Sequence, residues 1–421
     1  MTTSPPAGSV PPSPVALAEP VVPVRPTWVA RVTLASIGLW AGFFGPIQVL
    51  LAQLAAEVSP GHKEFVFGLV TGVGAGVSVV SNPLFGALSD RTTSHFGRRL
   101  PWVAAGALTG ALALVVLAVA DNLLVMLVGW CLAQAGLNAM LAAITAVVPD
   151  QVPVVQRGVV GGWVAVAQTL GVVGGVGIAT VTGGVSAGFL ATAAAVVVLA
   201  VPFVLRSGDV RLARDLVARF DVKAFARSFW VNPRAHPDFG WAWITRFLVN
   251  LGNALGTLYL FFYLQDAVGY DDPEQGVFVL TGIYAAMLVA TTVVGGLWSD
   301  HVGRRRVFVA VAGLVAAAAS VILAVTQTWP GALVAAVVLG MGYGVYTAVD
   351  FALITQVLPE AATRAKDLGV INIANALPQV FAPFLATILV TLAGGYVSLY
   401  LTSAGVCVLG SVLVYRIRSV R

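Results

Sequence analysis

Long apolar runs separated by brief polar breaks dominate the chain. They fall at approximately 28–56, 65–88, 100–120, 122–148, 157–181 and 184–205, and then at 241–268, 275–298, 306–326, 330–356, 367–391 and 394–415. Each is long enough, at about 20 residues, to cross a bilayer. A helix is the open-ended element that satisfies its own backbone polar groups in hydrocarbon, so the pattern predicts an all-α membrane protein of twelve transmembrane helices. Residues 1–27 form a Pro-rich tail with no apolar run of signal-sequence length, which reads as an unfolded, retained extension. Residues 28–205 and 241–415 hold six spans each. Between them lies a polar linker, 206–240, and after them a short basic tail, 416–421.

Composition removes the soluble alternative. The chain is 58% hydrophobic and 10% charged, where a soluble domain carries about 25% charge, and its mean hydropathy is +0.92. The location of the charges matters more than the net +5. With both termini and every even-to-odd connection placed in the cytoplasm, 22 of the 23 Lys and Arg lie there or in adjoining helix ends. Lys63 is the exception, and Glu57, Glu64, Asp121, Asp266, Asp271, Asp272 and Glu274 mark the other face. This asymmetry accounts for the basic balance without a nucleic-acid partner. Cys131 and Cys407 sit inside apolar runs and indicate no disulfide framework. Four scattered histidines give no metal-ligand spacing, and no Walker sequence encodes drive by ATP.

The chain repeats at an offset of 210 residues. Gly86-Ala-Leu-Ser-Asp90 recurs as Gly296-Leu-Trp-Ser-Asp300. Basic clusters follow both, Gly97-Arg98-Arg99 in the first copy and Gly303-Arg304-Arg305-Arg306 in the second, and Pro149-Asp150 matches Pro359-Glu360. Two related, pseudo-symmetric six-helix bundles follow, an arrangement that places a binding site near the midplane between halves. The paired Gly-x-x-x-Asp…Gly-Arg-Arg loops, with the twelve spans and long central loop, resemble the major facilitator superfamily over residues 28–415. The longer first loop, Ser89-Asp90-Arg91-Thr-Thr-Ser94-His-Phe-Gly97-Arg98-Arg99-Leu-Pro101-Trp102, is similar to the glycoside/pentoside/hexuronide:cation symporters and plant sucrose transporters.

Gly86 and Gly296 read as places where a helix approaches a neighbour closely. Asp90 and Asp300, at helix ends, can accept from Arg91, Arg98 or Arg305 and face an incoming helix N-terminus. The resemblance implies that Asp90 meets span 11 near Asp367 and Asp300 meets span 5 near Arg157, latching the cytoplasmic side when it is closed. The plainer reading is that the arginines only enforce topology.

Ionisable groups within spans cost roughly 2.5 to 3.5 kcal/mol at a helix centre, so each needs a reason. Asp350 in span 10 lies about 9 Å inside the helix end at a rise of 1.5 Å per residue. It is a candidate proton carrier, or a static ion-pair partner of Arg246 in span 7. Arg31 reads as an interfacial side chain. Amides and aromatics are the remaining polar groups: Trp40, Gln48, Gln134, Asn138 and Gln168 in the first half, and Asn250, Asn253, Tyr259, Tyr263, Tyr284, Tyr343, Tyr346, Asn372, Asn375 and Gln379 in the second. Such groups suit a neutral polyhydroxylated ligand and also serve as ordinary helix bridges. Gly252 and Gly256 allow span 7 to bend or pack closely, and Pro378 and Pro383 allow span 11 to flex. In the linker, Leu212, Leu216 and Phe220 with Arg211, Arg214 and Arg219 read as an amphipathic stretch on the cytoplasmic membrane surface.

Departures from related families narrow the reading. Span 4 has no basic residue and span 5 no proline, unlike the drug:proton antiporters, and the central loop lacks the Pro-Glu-Ser-like sequence of glucose facilitators. Spans 2 and 4 have no interior carboxylates, which argues against sodium coupling of the glycoside-symporter kind and leaves a proton through Asp350, or uniport. The expectation is a monomeric secondary transporter of the bacterial inner membrane, with lipid and a small solute as partners and no cofactor or metal. Sugar or glycoside comes first as solute. Efflux of a hydrophobic compound and a non-transporting sensor are the alternatives, and no nucleophile–base pair suggests an enzyme.

Overall fold

The computed structural model describes residues 20–209, 211, 212, 236–357 and 364–418; the side chains of residues 300, 351, 352, 354–357 and 364–372 fall outside it. Most of the predicted linker helix and the ends of both tails therefore lie outside the described residues. Those described are helical with no strand. Eleven helices are long and apolar enough to cross a membrane, and a bent pair supplies a twelfth. In chain order they are α1 Pro26–Val58, α2 Pro60–Ser89, α3 Leu100–Ala118, α4 Leu123–Gln151, α5 Val154–Val181 and α6 Val185–Arg206. There follow α7, Pro237–Leu258 joined to Leu260–Val268, α8 Pro273–Val302, α9 Arg305–Thr326, α10 Trp329–Val357, α11 Arg364–Leu392 and α12 Gly395–Leu413.

Local chemistry sets several ends. Asn122 caps α4 by accepting from the Val125 amide at 3.0 Å, and Asp272 caps α8 by accepting from Gln275 at 3.0 Å. Gly303 ends α8 at φ 68, a left-handed conformation that costs a residue with a Cβ dearly and glycine almost nothing. Pro46 has no amide proton to give, and a π-helical turn, Pro46–Leu50, runs through α1 there.

Packing follows the repeat. In the first half α1 packs on α5 and α6, α2 on α4, and α3 on α4 and α6. In the second, α7 packs on α11 and α12, α8 on α10, and α9 on α10 and α12. The halves meet through α2 against α11 and α5 against α8, which the same pseudo-two-fold exchanges. Small residues permit these approaches: a side chain at Gly175 would strike the Ala41 backbone, and one at Gly252 would strike Cys407. The bend in α7 is 42° and sits at Tyr259, not at Gly252 or Gly256. Those glycines face α12 and Leu339, so they serve close packing, and the break falls where Tyr259 departs from helical geometry at φ −99 and ψ 16.

Candidate functional site

The halves touch at one end and separate toward the other. Along one face of α2, a Cβ at Gly68 would meet Thr387, Tyr259 and Pro383, one at Gly72 would meet Phe384, and one at Gly76 would meet nothing within 4 Å. Along α5, Gly177 faces Phe278 while Gly174 and Gly162 face open space. Polar contacts join the same end. Lys63 pairs with Asp266 at 2.6 Å and donates to Gln265 at 2.8 Å, Gln53 donates to Glu274, and the Tyr259 hydroxyl donates to the Glu64 carbonyl at 3.1 Å. This closed end is opposite the two signature loops. Toward the loops, Val166, Val289 and Val293 line the cavity and are also exposed, so the cavity opens that way.

The cavity between the halves measures about 890 Å³. Trp40, Gln48, Gln134, Asn138 and Gln168 line it from α1, α4 and α5, and Asn250, Asn253, Tyr284, Tyr343, Tyr346, Asn375 and Gln379 from α7, α8, α10 and α11. Arg246 and Asp350 complete the wall. Arg246 reaches Asp350 at 2.5 Å and donates through Nε to the Asn375 side-chain oxygen at 2.6 Å. Asn250 donates to that oxygen at 3.2 Å and accepts from the Tyr343 hydroxyl at 2.7 Å. The Tyr346 hydroxyl lies beside Asp350 without a hydrogen bond of good geometry. Opposite charges in contact leave the cavity with no net charge. On the other wall Ser78 donates to Asn138 at 3.0 Å, and Asn138 donates to the Gln134 side chain at 3.2 Å. Trp40 stands with Phe43 and Phe44, ring centroids 5.8 and 6.0 Å away.

Several expectations need correction. Tyr259 and Tyr263 do not line the cavity. Tyr259 is buried in the closed end, where its hydroxyl is 2.7 Å from Thr387 Oγ1, and Tyr263 is buried in the second half, donating to the Leu323 carbonyl at 2.9 Å. Tyr259 sits at the bend in α7 and Tyr263 one turn beyond it, where that helix leaves the cavity wall after Leu260. Asn372 and Asp300 have side chains outside the described set. Arg31 donates to the Arg206 carbonyl at 2.5 Å, capping the last turn of α6.

The cavity is open on the side of the signature loops, the state in which the expected latch would be released, and the contacts of the described loop residues lie within each half. Asp90 pairs with Arg99 at 2.6 Å, and Asp150 takes both Arg98 and Arg99 at 2.7 Å, all inside the first half. Arg91 donates to the Ala87 carbonyl at 2.7 Å. Asp209, at the start of the linker, accepts from the Leu100 amide at 2.9 Å and from the Arg99 amide, capping α3. Gly97 turns this loop at φ 109, and any Cβ there would collide with Asp209. Gly86 and Gly296 are less crowded than expected. A Cβ on each would sit 4.0 Å from Ala142 and 3.6 Å from Ala348, ordinary contact distances, because the neighbouring helix already presents alanine. In the second loop Arg306 donates to the Ile417 carbonyl at 2.7 Å, while Gly303 and Arg304 form the turn into α9 and Arg305 begins that helix.

Two bundles joined by a pseudo-two-fold around a central, one-sided cavity are matched by the sequence itself. The profile of the Major Facilitator Superfamily covers residues 32–290 and 275–421. The chain belongs to the major facilitator superfamily. As a member it is a multi-pass integral membrane protein with the architecture of a secondary transporter. Its fold is similar to a mutant of the nucleoside transporter NupG, 12% identical with a TM-score of 0.74 over 93% of this chain and 99% of that one. It is also similar to the peptide transporter POT in complex with sulfate, 14% identical with a TM-score of 0.76 over 96% and 97%. Likeness at this identity concerns fold. No curated protein matches the chain by sequence.

Residues missed in the sequence include Ser78, Thr169, Thr257, Thr281, Thr292 and Thr347, all on the cavity wall. A threonine can satisfy its hydroxyl on its own helix, as Thr257 does on Asn253 at 3.0 Å and Thr292 on Leu288 at 2.7 Å, and so it raises no alarm in an apolar run. A usable signal was present in span 10, where Tyr343, Tyr346 and Asp350 recur at spacings of three and four and make one stripe.

Proposed function

We propose that this transporter moves a small neutral polyhydroxylated solute, a sugar or glycoside, in symport with a proton across the bacterial inner membrane, with its signature loops in the cytoplasm. The cavity lining carries the reading. Eight amide side chains, one tryptophan and three tyrosines line it, beside seven leucines, two phenylalanines and no methionine. Amides bind hydroxyl edges and aromatic faces stack on apolar sugar faces, and a wall with this many amides is costly for a carrier of purely hydrophobic compounds. Gln48, Gln168 and Gln379 have no hydrogen-bond partner among the described residues and stand ready for a ligand. The glycoside-symporter character of the first loop agrees with this solute class.

Asp350 is the acidic side chain in the lining, and its pairing with Arg246 fits a carrier whose proton and salt bridge exclude one another. Purified protein in proteoliposomes tests both parts. Sugars and glycosides should exchange in counterflow and stabilise the protein against heat, while lipophilic cations should not. Preference for lipophilic cations would refute the solute class. Asp350→Asn should retain counterflow and lose solute-driven proton uptake, and proton uptake at the wild-type rate would refute the coupling role.

A further inference from the structure

The closed end contains a carboxyl group whose setting is built for a proton. Glu274, in the first turn of α8, meets Gln53 of α1 across the interface between halves, and Gln53 Nε2 donates to it. The other end of that amide is unsatisfied: Gln53 Oε1 is buried and has no hydrogen-bond partner. A buried acceptor left unmade costs about 1 to 3 kcal/mol, so the ionised pair leaves a penalty in the contact between halves. A neutral carboxyl removes it. Its O–H donates to Gln53 Oε1 while Gln53 Nε2 donates to the second carboxyl oxygen, closing a ring of two hydrogen bonds after a small rotation of the amide.

The charges around Glu274 favour that neutral form. The helix start attracts negative charge, but Asp272 already supplies it, capping α8 on the Gln275 amide at 3.0 Å, and its carboxylate repels a second negative charge two residues later. Among the other charged groups of this face, Asp266 on the last turn of α7 is tied to Lys63 of α2 at 2.6 Å and to the Tyr396 hydroxyl of α12 at 2.7 Å. Glu57 lies one turn beyond Gln53, and Glu64 and His62 lie at the start of α2. The neighbouring end of α5 brings only Thr180, whose hydroxyl donates to the Glu274 carbonyl at 3.4 Å. No cation is hydrogen-bonded or ion-paired to the Glu274 carboxylate among the described residues.

We infer that Glu274 is a proton-binding site of the gate: it takes a proton as the halves close on this face, and the neutral carboxyl locks onto Gln53. The site is distinct from Asp350, which lies in the cavity wall. It rests on the alternating-access reading of the fold but not on the identity of the solute. Separation of the halves takes Gln53 away from Glu274, which is already half-buried rather than sealed from water, and frees it to ionise. A proton taken up from the facing compartment therefore favours the state open to the signature loops.

Spin-label distances across the closed face test this without any solute. Labels go on Gly61→Cys and Asp271→Cys, one on each half, in a background with Cys131→Ser and Cys407→Ala. In the wild-type background the short-distance population should grow as pH falls. One net hydrogen bond gained corresponds to roughly a five-fold change in the closed-to-open ratio. Glu274→Gln, a neutral isostere able to make the same two hydrogen bonds, should hold the face closed at all pH. Gln53→Met should keep the protein folded and abolish the pH response. An undiminished pH response in Glu274→Gln or in Gln53→Met would overturn the proposal, as would a wild-type equilibrium indifferent to pH. Failure of sugar counterflow alongside an intact, Glu274-dependent response would sink only the solute assignment.

Discussion

Gly68 offers a decisive perturbation of the seal between halves. Replacing it by alanine adds one methyl where the Tyr259 hydroxyl would lie 2.7 Å away and the Pro383 carbonyl 3.1 Å away, with Thr387 Oγ1 closer still. None of these can yield freely. Tyr259 is held by Thr387 at 2.7 Å, by the Glu64 carbonyl at 3.1 Å and by the Pro383 carbonyl at 3.3 Å, and its ring is wedged edge-on against Phe67 at 5.4 Å. The easiest relief is for α2 and α11 to part. Overpacking of this kind costs about 1 to 3 kcal/mol, which corresponds to roughly a 5- to 150-fold shift away from the closed end. Each half's own core is untouched, so folding and ligand-independent stability should fall little. The assay is the inter-label distance between positions 61 and 271 in Gly68→Ala, with Gly76→Ala as the control. Gly76 is two turns along the same face and has nothing within 4 Å of its added Cβ. Equal distance distributions in Gly68→Ala and wild type, or an equal shift in both variants, would refute the account of how the halves close.

Other expectations follow from the same contacts. Asp350→Ala should lower the thermal midpoint, because it leaves the half-buried Arg246 guanidinium without its charge partner, a loss of about 1 to 3 kcal/mol. Arg246→Leu combined with Asp350→Leu should recover much of that stability without recovering proton coupling, and a double variant no more stable than Asp350→Ala would contradict this. Trp40→Ala should weaken solute affinity while Tyr263→Phe leaves it unchanged, since Trp40 lines the cavity and Tyr263 bonds only the Leu323 carbonyl; equal losses in a binding titration would put the cavity in the wrong place. Asp209→Ala should remove the cap on α3 and cost about 1 kcal/mol, read as a lowered thermal midpoint. An unchanged midpoint would mean that the linker start does not brace the first loop.

The spans were legible because lipid makes each one a self-contained problem: an apolar run of sufficient length has a helix as its available solution. The repeat was legible for a related reason, since two halves built alike carry the same letters twice, Gly86 to Asp90 and Gly296 to Asp300. Cavity side chains were legible as a set, because an amide in an apolar run is costly enough to stand out. What did not read through was direction. Tyr259 and Tyr263 look like Tyr284 in the sequence, and only their place at and beyond the 42° break in α7 sets them in seal and core and not in the cavity wall. Long-range partners were equally hidden. Asp150 was visible as half of a repeat, yet its role as the shared acceptor of Arg98 and Arg99 depends on the end of α4 lying beside the first loop. Gln53 looked like nothing at all, and its meaning comes from Glu274, 221 residues away.

The halves repeat each other in topology but not in chemistry, and this bears on how one cavity can both hold and release a solute. Gly42 and Gly252 keep the offset of 210 and play the same part, letting α1 approach α6 and α7 approach α12. Two residues earlier in each helix stand Trp40 and Asn250, an aromatic plane on one wall and an amide on the other. One turn before those, Ser36 is satisfied on its own helix at 2.7 Å, whereas Arg246 reaches across to α10 and α11. Stacking tolerates sliding, but the Arg246, Asp350 and Asn375 network is directional and fixed by geometry. A solute placed between them is therefore registered by the second half and merely covered by the first. Rocking can loosen the cover first, while the register, and with it the Arg246–Asp350 pair, is kept until the cavity has opened.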